Sequence, residues 1–102
     1  MASKLSAVVI TLNEERNIAR CISSLQDIAD EIIVLDAFST DQTVAICQKL
    51  GAKVEQRAWQ GYSNSKNYVN ALVSNEYIFS IDADEALDNV LKEAILKEKA
   101  NG

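Results

Sequence analysis

Four segments that read as strands, the first a β-branched apolar run, alternate along this chain with four segments that read as helices. That alternation constrains the fold more than any other feature. Strands separated by helices pair in parallel through right-handed crossovers, with helices covering both sheet faces. Leu5 to Leu12 and Glu31 to Leu35 read as strands buried on both faces, the second ending in Asp36. Ala52 to Arg57 is a third, more exposed strand, and Tyr77 to Ile81 is a fourth, closed by Asp82.

Ile18, Cys21, Ile22 and Leu25 mark the first helix, with Glu14 and Glu15 expected in its first turn, where the helix dipole favours acids. Asp41 is the expected N-cap of a second helix running to Leu50, and Gly51 supplies its C′ residue. Trp59 to Tyr62 is expected as a loop, followed by a helix over Asn64 to Val73 with Tyr68, Val69 and Leu72 on one face. Asp88 caps a last helix whose apolar stripe is Leu91, Ala94 and Ile95. The predicted class is α/β: a Rossmann-like parallel sheet of about four strands in one domain, residues 1–102. Ligands of such sheets bind at the carboxyl ends of the strands, where the winding reverses.

Composition narrows the chemistry. Fifteen acidic against ten basic residues give a net charge of −5, which repels nucleic-acid phosphates, so no nucleic-acid partner is expected. The apolar runs fall far short of the roughly 20 residues that span a bilayer. No transmembrane segment or signal peptide is therefore expected, and the cytosol is the expected compartment. Cys21 and Cys47 fall on apolar helix faces, where reduced thiols act as small hydrophobes. The chain has no histidine, which removes imidazole bases and ligands and leaves oxygen donors for a hard cation such as magnesium, manganese or calcium.

The first, second and fourth strands end in Thr11-Leu12-Asn13-Glu14, Asp36-Ala37-Phe38-Ser39 and Asp82-Ala83-Asp84-Glu85. Crowded carboxylates repel one another unless a cation is shared, so the cluster reads as a divalent metal site, with solvated loop acids as the plain alternative. The one-residue spacing of Asp82 and Asp84 turns both side chains to one side of an extended segment. Asp36 either accepts hydrogen bonds from a base or ribose or forms a turn, and Ser39, Thr40 and Asp41 are helix-start residues. No G-x-G-x-x-G follows the first strand, so phosphates here need a metal to offset Glu14 and Glu15.

Together, Val8-Val9-Ile10-Thr11-Leu12-Asn13-Glu14-Glu15, Ile33 to Thr43 and Asp82-Ala83-Asp84-Glu85 resemble the inverting family 2 glycosyltransferases, and Trp59-Gln60-Gly61-Tyr62 with Lys66-Asn67-Tyr68 resembles the bacterial lipopolysaccharide-core members. The resemblance implies the nucleotide-binding half of a GT-A fold with strand order 3-2-1-4, a nucleotide-diphosphate sugar donor, usually UDP-linked, and Mg2+ or Mn2+. It places Thr11, Asn13, Glu14 and Asp36 at the nucleotide, Lys66 or Asn67 approaching it, Asp82 at the ribose or metal, and Asp84 as the main metal ligand. The implied acceptor is a glycan or lipid-linked sugar, and the implied location extends to the cytoplasmic face of the inner membrane.

Two departures from the family pattern stand out. Ala37 and Phe38 replace a Ser-Gly pair at a place where glycine permits positive φ. The chain also ends about eighteen residues past Asp84, so the acceptor site and the catalytic base are expected beyond it, and the domain is expected to be truncated relative to a full GT-A domain. The other readings are a non-catalytic nucleotide-sugar-binding or interaction module and a receiver-type signalling domain. If the second half is absent, the fourth strand loses its neighbour and becomes an open edge expected to pair with a second copy.

Overall fold

The computed structural model describes residues 4–59, 61–73, 75 and 77–101. Eight elements alternate: β1 (Leu5–Thr11), α1 (Ile18–Gln26), β2 (Glu31–Asp36), α2 (Thr43–Lys49), β3 (Lys53–Gln56), α3 (Tyr62–Ala71), β4 (Tyr77–Asp82) and α4 (Asn89–Asn101). The four strands form one parallel sheet in the order β3-β2-β1-β4. The winding therefore runs from β1 through β2 to β3 and then jumps to the other side of β1, which puts the switch point between β1 and β4.

Strand periodicity explains the two-sided burial. Ala7, Val9, Ile32 and Val34 point to one face and pack with Ile18, Cys21, Ile22, Leu25 and Ile28 around α1, with Cys47 of α2, and with Ile95 of α4 at the margin. Val8, Ile33 and Leu35 point to the other face, where Val69 of α3 covers them with Ile10 and Tyr68. Central strands buried on both faces have no polar side to show, which is why β1 and β2 read as continuous apolar runs.

The sequence-based boundaries shift in four places. α1 begins at Ile18, so Glu14 and Glu15 precede it; the Glu14 carbonyl accepts from the amides of Asn17 and Ile18, at 3.0 and 2.8 Å. α2 has Gln42 at its N-cap position, but Asp41 does the capping from one residue earlier, its Oδ1 accepting from the Thr43 amide at 2.9 Å. α3 starts at Tyr62 rather than Asn64, and Leu72, just past its end, is 37% exposed. On α4, Ile95 packs on the core while Leu91 and Ala94 stay exposed. The expected devices elsewhere are present: Gly51 has φ 87 after α2, and Asp88 Oδ1 accepts from the Leu91 amide at 2.8 Å. Both cysteines are free and buried. Gln60 lies outside the described residues.

Candidate functional site

The sheet register fixes the rim. Thr11 lies opposite Asp36 and Ile10 opposite Asp82, so the three strand ends that carry the acidic segments sit side by side. Parallel pairing leaves the last carbonyls and the following loops at this one edge, where a ligand can reach all three.

Between β1 and β2 the two loops zip together. The Asn13 amide donates to Ser39 Oγ at 2.8 Å, the Glu14 amide to Thr43 Oγ1 at 2.9 Å, and the Thr40 amide to Asn13 Oδ1 at 2.7 Å. Asp36 is fully buried; its carboxylate accepts from the Ser39 amide at 2.8 Å, from the Ser39 hydroxyl, and from Gln56 Nε2 at 3.2 Å. Of the two roles open to Asp36 in the sequence, the turn-forming one is engaged here, with the carboxylate buried. The turn has a cost. Asn13 and Phe38 both adopt positive φ, 51° and 61°. Asparagine tolerates this region through local hydrogen bonding, whereas phenylalanine does so only under strain.

Asp41 anchors the outer part of the zip. Desolvation alone raises its carboxyl, but hydrogen bonds from the Thr43 hydroxyl and amide and from the Glu15 amide outweigh this and hold it below its ordinary value.

At the end of β4 the chain makes a tight turn. The Glu85 amide donates to the Asp82 carbonyl at 2.9 Å while Glu85 Oε1 accepts from the Asp82 amide at 3.2 Å. This brings carboxylate oxygens of Asp82, Asp84 and Glu85 within 4.8 Å of one another, all exposed to solvent. Glu85 is a third member that the D-x-D spacing does not point to; its only signal is a further acid one residue on. α1 braces the turn from below. Arg20 Nη2 donates to the Asp84 carbonyl at 3.2 Å, Cys21 Sγ lies 3.7 Å from the Asp82 carbonyl, and Ser24 Oγ accepts from the Leu87 amide at 3.0 Å.

The donor set fits a hard divalent cation. Asp82, Asp84 and Glu85 would offer only carboxylate oxygens, the donors that Mg2+ and Mn2+ take.

A cleft of about 400 Å³ opens beside the triad, lined by Ile10, Thr11, Leu12, Glu14, Trp59, Asp82, Ala83 and Asp84. It gathers four of the residues singled out in the sequence: Thr11, Glu14, Asp82 and Asp84. Thr11 Oγ1 is buried there without a hydrogen-bond partner. Lys66 lines a small adjoining depression shared with Ile10 and Asp82. Asn13, Asp36 and Asn67 do not line the cleft; Asn67 is exposed on α3. Leu12 and Trp59, which line it, were not among the expected site residues.

Fold and rim together define a doubly wound α/β domain with a carboxylate cluster at its switch point. The family model for glycosyl transferase family 2 matches residues 6–101, and the chain belongs to that family. An uncharacterized glycosyltransferase of Rickettsia felis is 49% identical over 92 residues, covering 90% of this chain and 32% of that protein. The lipopolysaccharide core biosynthesis glycosyltransferase LpsC of Rhizobium meliloti is 38% identical over 96 residues, covering 89% and 35%. Among solved structures, glucosyl-3-phosphoglycerate synthase from Mycobacterium tuberculosis, in complex with Mn2+, UDP and glucosyl-3-phosphoglycerate, superposes with a TM-score of 0.72 at 27% identity, covering 82% of this chain and 36% of that one. The fold is thus GT-A. The chain spans about a third of the length of the curated relatives it matches. A receiver-type reading finds no support in this geometry, because β3 ends at Gln56 and no aspartate follows before Trp59.

Proposed function

We propose that this domain binds the diphosphate of a nucleotide-sugar donor, a UDP-sugar, through a Mg2+ or Mn2+ ion held by Asp84 and Asp82 with Glu85, as the donor half of an inverting glycosyltransferase. The observation that carries the reading is the convergence of three carboxylates beside a cleft at the switch point. In a chain of net charge −5, pyrophosphate is repelled from that cleft unless a cation intervenes. When bound, the ion offsets the diphosphate charge and stabilises it as the leaving group. Thr11, Glu14 and Lys66 then border the nucleotide, with Asn67 at its outer edge. Asp36 and Asn13 act on the site by shaping the β1–α1 and β2–α2 loops, and Asp36 meets the base once the Ser39 turn opens. The catalytic base and the acceptor site are assigned to the part of the relatives that this chain does not span.

The name of LpsC supports a role in lipopolysaccharide or cell-envelope glycan synthesis, with a glycan or lipid-linked acceptor in the whole enzyme. That chemistry belongs at the cytoplasmic face of the inner membrane; no helix among the described residues is long and apolar enough to cross a membrane. Among the described residues β4 pairs on one side only and exposes Tyr77 and Ile78, which supports pairing of this edge with a further strand, such as that of a second copy.

Thermal unfolding tests donor binding directly. Ligand at a hundred times its dissociation constant stabilises a fold by about 2.7 kcal/mol, so UDP with Mn2+ should raise the melting temperature and EDTA should reverse the rise. A melting curve unchanged by UDP, Mn2+ and a range of UDP-sugars contradicts the reading.

A further inference from the structure

Trp59 is the single tryptophan of the chain, and 54% of it is exposed. A tryptophan left this open forgoes most of the burial that makes the residue useful in a core. Its position is not that of a stray surface residue. It lines the cleft beside the carboxylate triad, together with Leu12, which is 51% exposed.

The residues flanking Trp59 carry contacts to the sheet and to α3. The Arg57 amide donates to the Asp36 carbonyl at 3.0 Å, extending the β2–β3 pairing by one residue, and the Arg57 guanidinium lies 4.1 Å from the centre of the Tyr68 ring on α3. On the far side, the Ser65 amide donates to the Gly61 carbonyl at 3.0 Å in the first turn of α3. Arg57, two residues before the indole, is thus tied to the sheet and to α3.

The cleft is chemically divided. Asp82, Asp84 and Glu14 supply its charged part, while Ile10, Leu12 and Trp59 supply an apolar and aromatic part. A nucleoside diphosphate has the same division: a charged diphosphate that needs the cation, and a flat base with an apolar face that needs a platform. Resting on the donor-binding reading above, we propose that Trp59 is the platform on which the donor's nucleobase stacks, so that the indole, rather than the buried Asp36, supplies the first base contact. Stacking of this kind accepts any base, because every base has a π-face. It contributes affinity, while choice among bases is left to the polar rim.

The test uses the single tryptophan as its own reporter. The whole chain is titrated with UDP and Mn2+ and, as a base-free probe, with pyrophosphate and Mn2+, following tryptophan fluorescence and heat. Trp59→Ala and Trp59→Tyr are titrated by calorimetry alone. UDP should quench the emission, and pyrophosphate should not. Trp59→Ala should weaken UDP binding by about tenfold, within the range of base-to-aromatic stacking, and leave pyrophosphate binding unchanged. Trp59→Tyr should recover most of the loss. Equal UDP affinity in Trp59→Ala and wild type overturns the proposal but spares donor binding. So does a loss shared equally by UDP and pyrophosphate, which marks a damaged loop. Absence of UDP binding by the wild type overturns donor binding and this proposal together.

Discussion

Phe38 occupies a backbone conformation that its side chain opposes, with φ at 61° and 54% of the residue exposed. The family's usual glycine at this place adopts that conformation freely. Replacing Phe38 by glycine alone would mix two effects, since the half-buried ring is lost as well as the strain. The comparison of Phe38→Gly with Phe38→Ala separates them, because both variants lose the ring and only alanine keeps a Cβ. A non-glycine residue in the left-handed region costs about 1–2 kcal/mol. Glycine escapes this but loses about 0.4–1 kcal/mol through the greater freedom of its unfolded chain. The difference leaves Phe38→Gly more stable than Phe38→Ala by about 0.8 kcal/mol, whereas at an ordinary φ the order reverses. With a urea m-value of about 2 kcal/mol/M, the glycine variant's midpoint should lie about 0.4 M above that of alanine. Urea unfolding followed by far-UV circular dichroism measures this. An alanine midpoint equal to or above the glycine one refutes the strained turn and, with it, the account of how the β2–α2 loop is held.

Three further outcomes follow from the same structure. Ser24→Ala removes the buried acceptor of the Leu87 amide and should destabilise the domain by about 1–3 kcal/mol; an unchanged midpoint would show that this contact does not brace the β4 turn. Desolvation by burial pushes Cys21 up to about 12 and Cys47 up to about 11, so both thiols should resist Ellman's reagent at pH 8 until urea unfolds the chain, and prompt labelling of the native protein would contradict their burial. Asp41, held below its ordinary value of 3.8, contributes stability that is present above that pH and is lost as pH falls through its folded value. Asp41→Asn should accordingly flatten the acid limb of the stability profile below about pH 4, and an unaltered limb would remove the carboxylate from the loop network.

Much of the fold is written in local pattern. β1 and β2 are continuous apolar runs because helices cover both their faces, and the spacing of Ile18, Cys21, Ile22 and Leu25 marks the buried side of α1. What the pattern cannot carry is contact between distant segments. α1 starts late because side chains 26 to 29 residues away, on Ser39, Asp41 and Thr43, take up the amides of Asn13, Glu15 and Glu14. Nothing local records that competition. In the same way, D-x-D spacing shows Asp82 and Asp84 but not Glu85, which joins them only through the turn that bonds it back to Asp82. Trp59 reads as a loop residue, and only the structure shows it lining the cleft beside Asp82 and Asp84. Asp36 shows the opposite case: its place at a strand end is legible, but only the structure shows its carboxylate already engaged.

The central claim is that carboxylates at the end of β4 let an acidic cleft take up a nucleotide diphosphate through a divalent ion. Isothermal titration of the chain with UDP-glucose and other UDP-sugars in Mn2+ tests it most directly. Saturable heat that requires the metal and disappears in Asp84→Ala is the predicted result; heat equal to buffer dilution for every donor, or binding that survives both EDTA and Asp84→Ala, would contradict it.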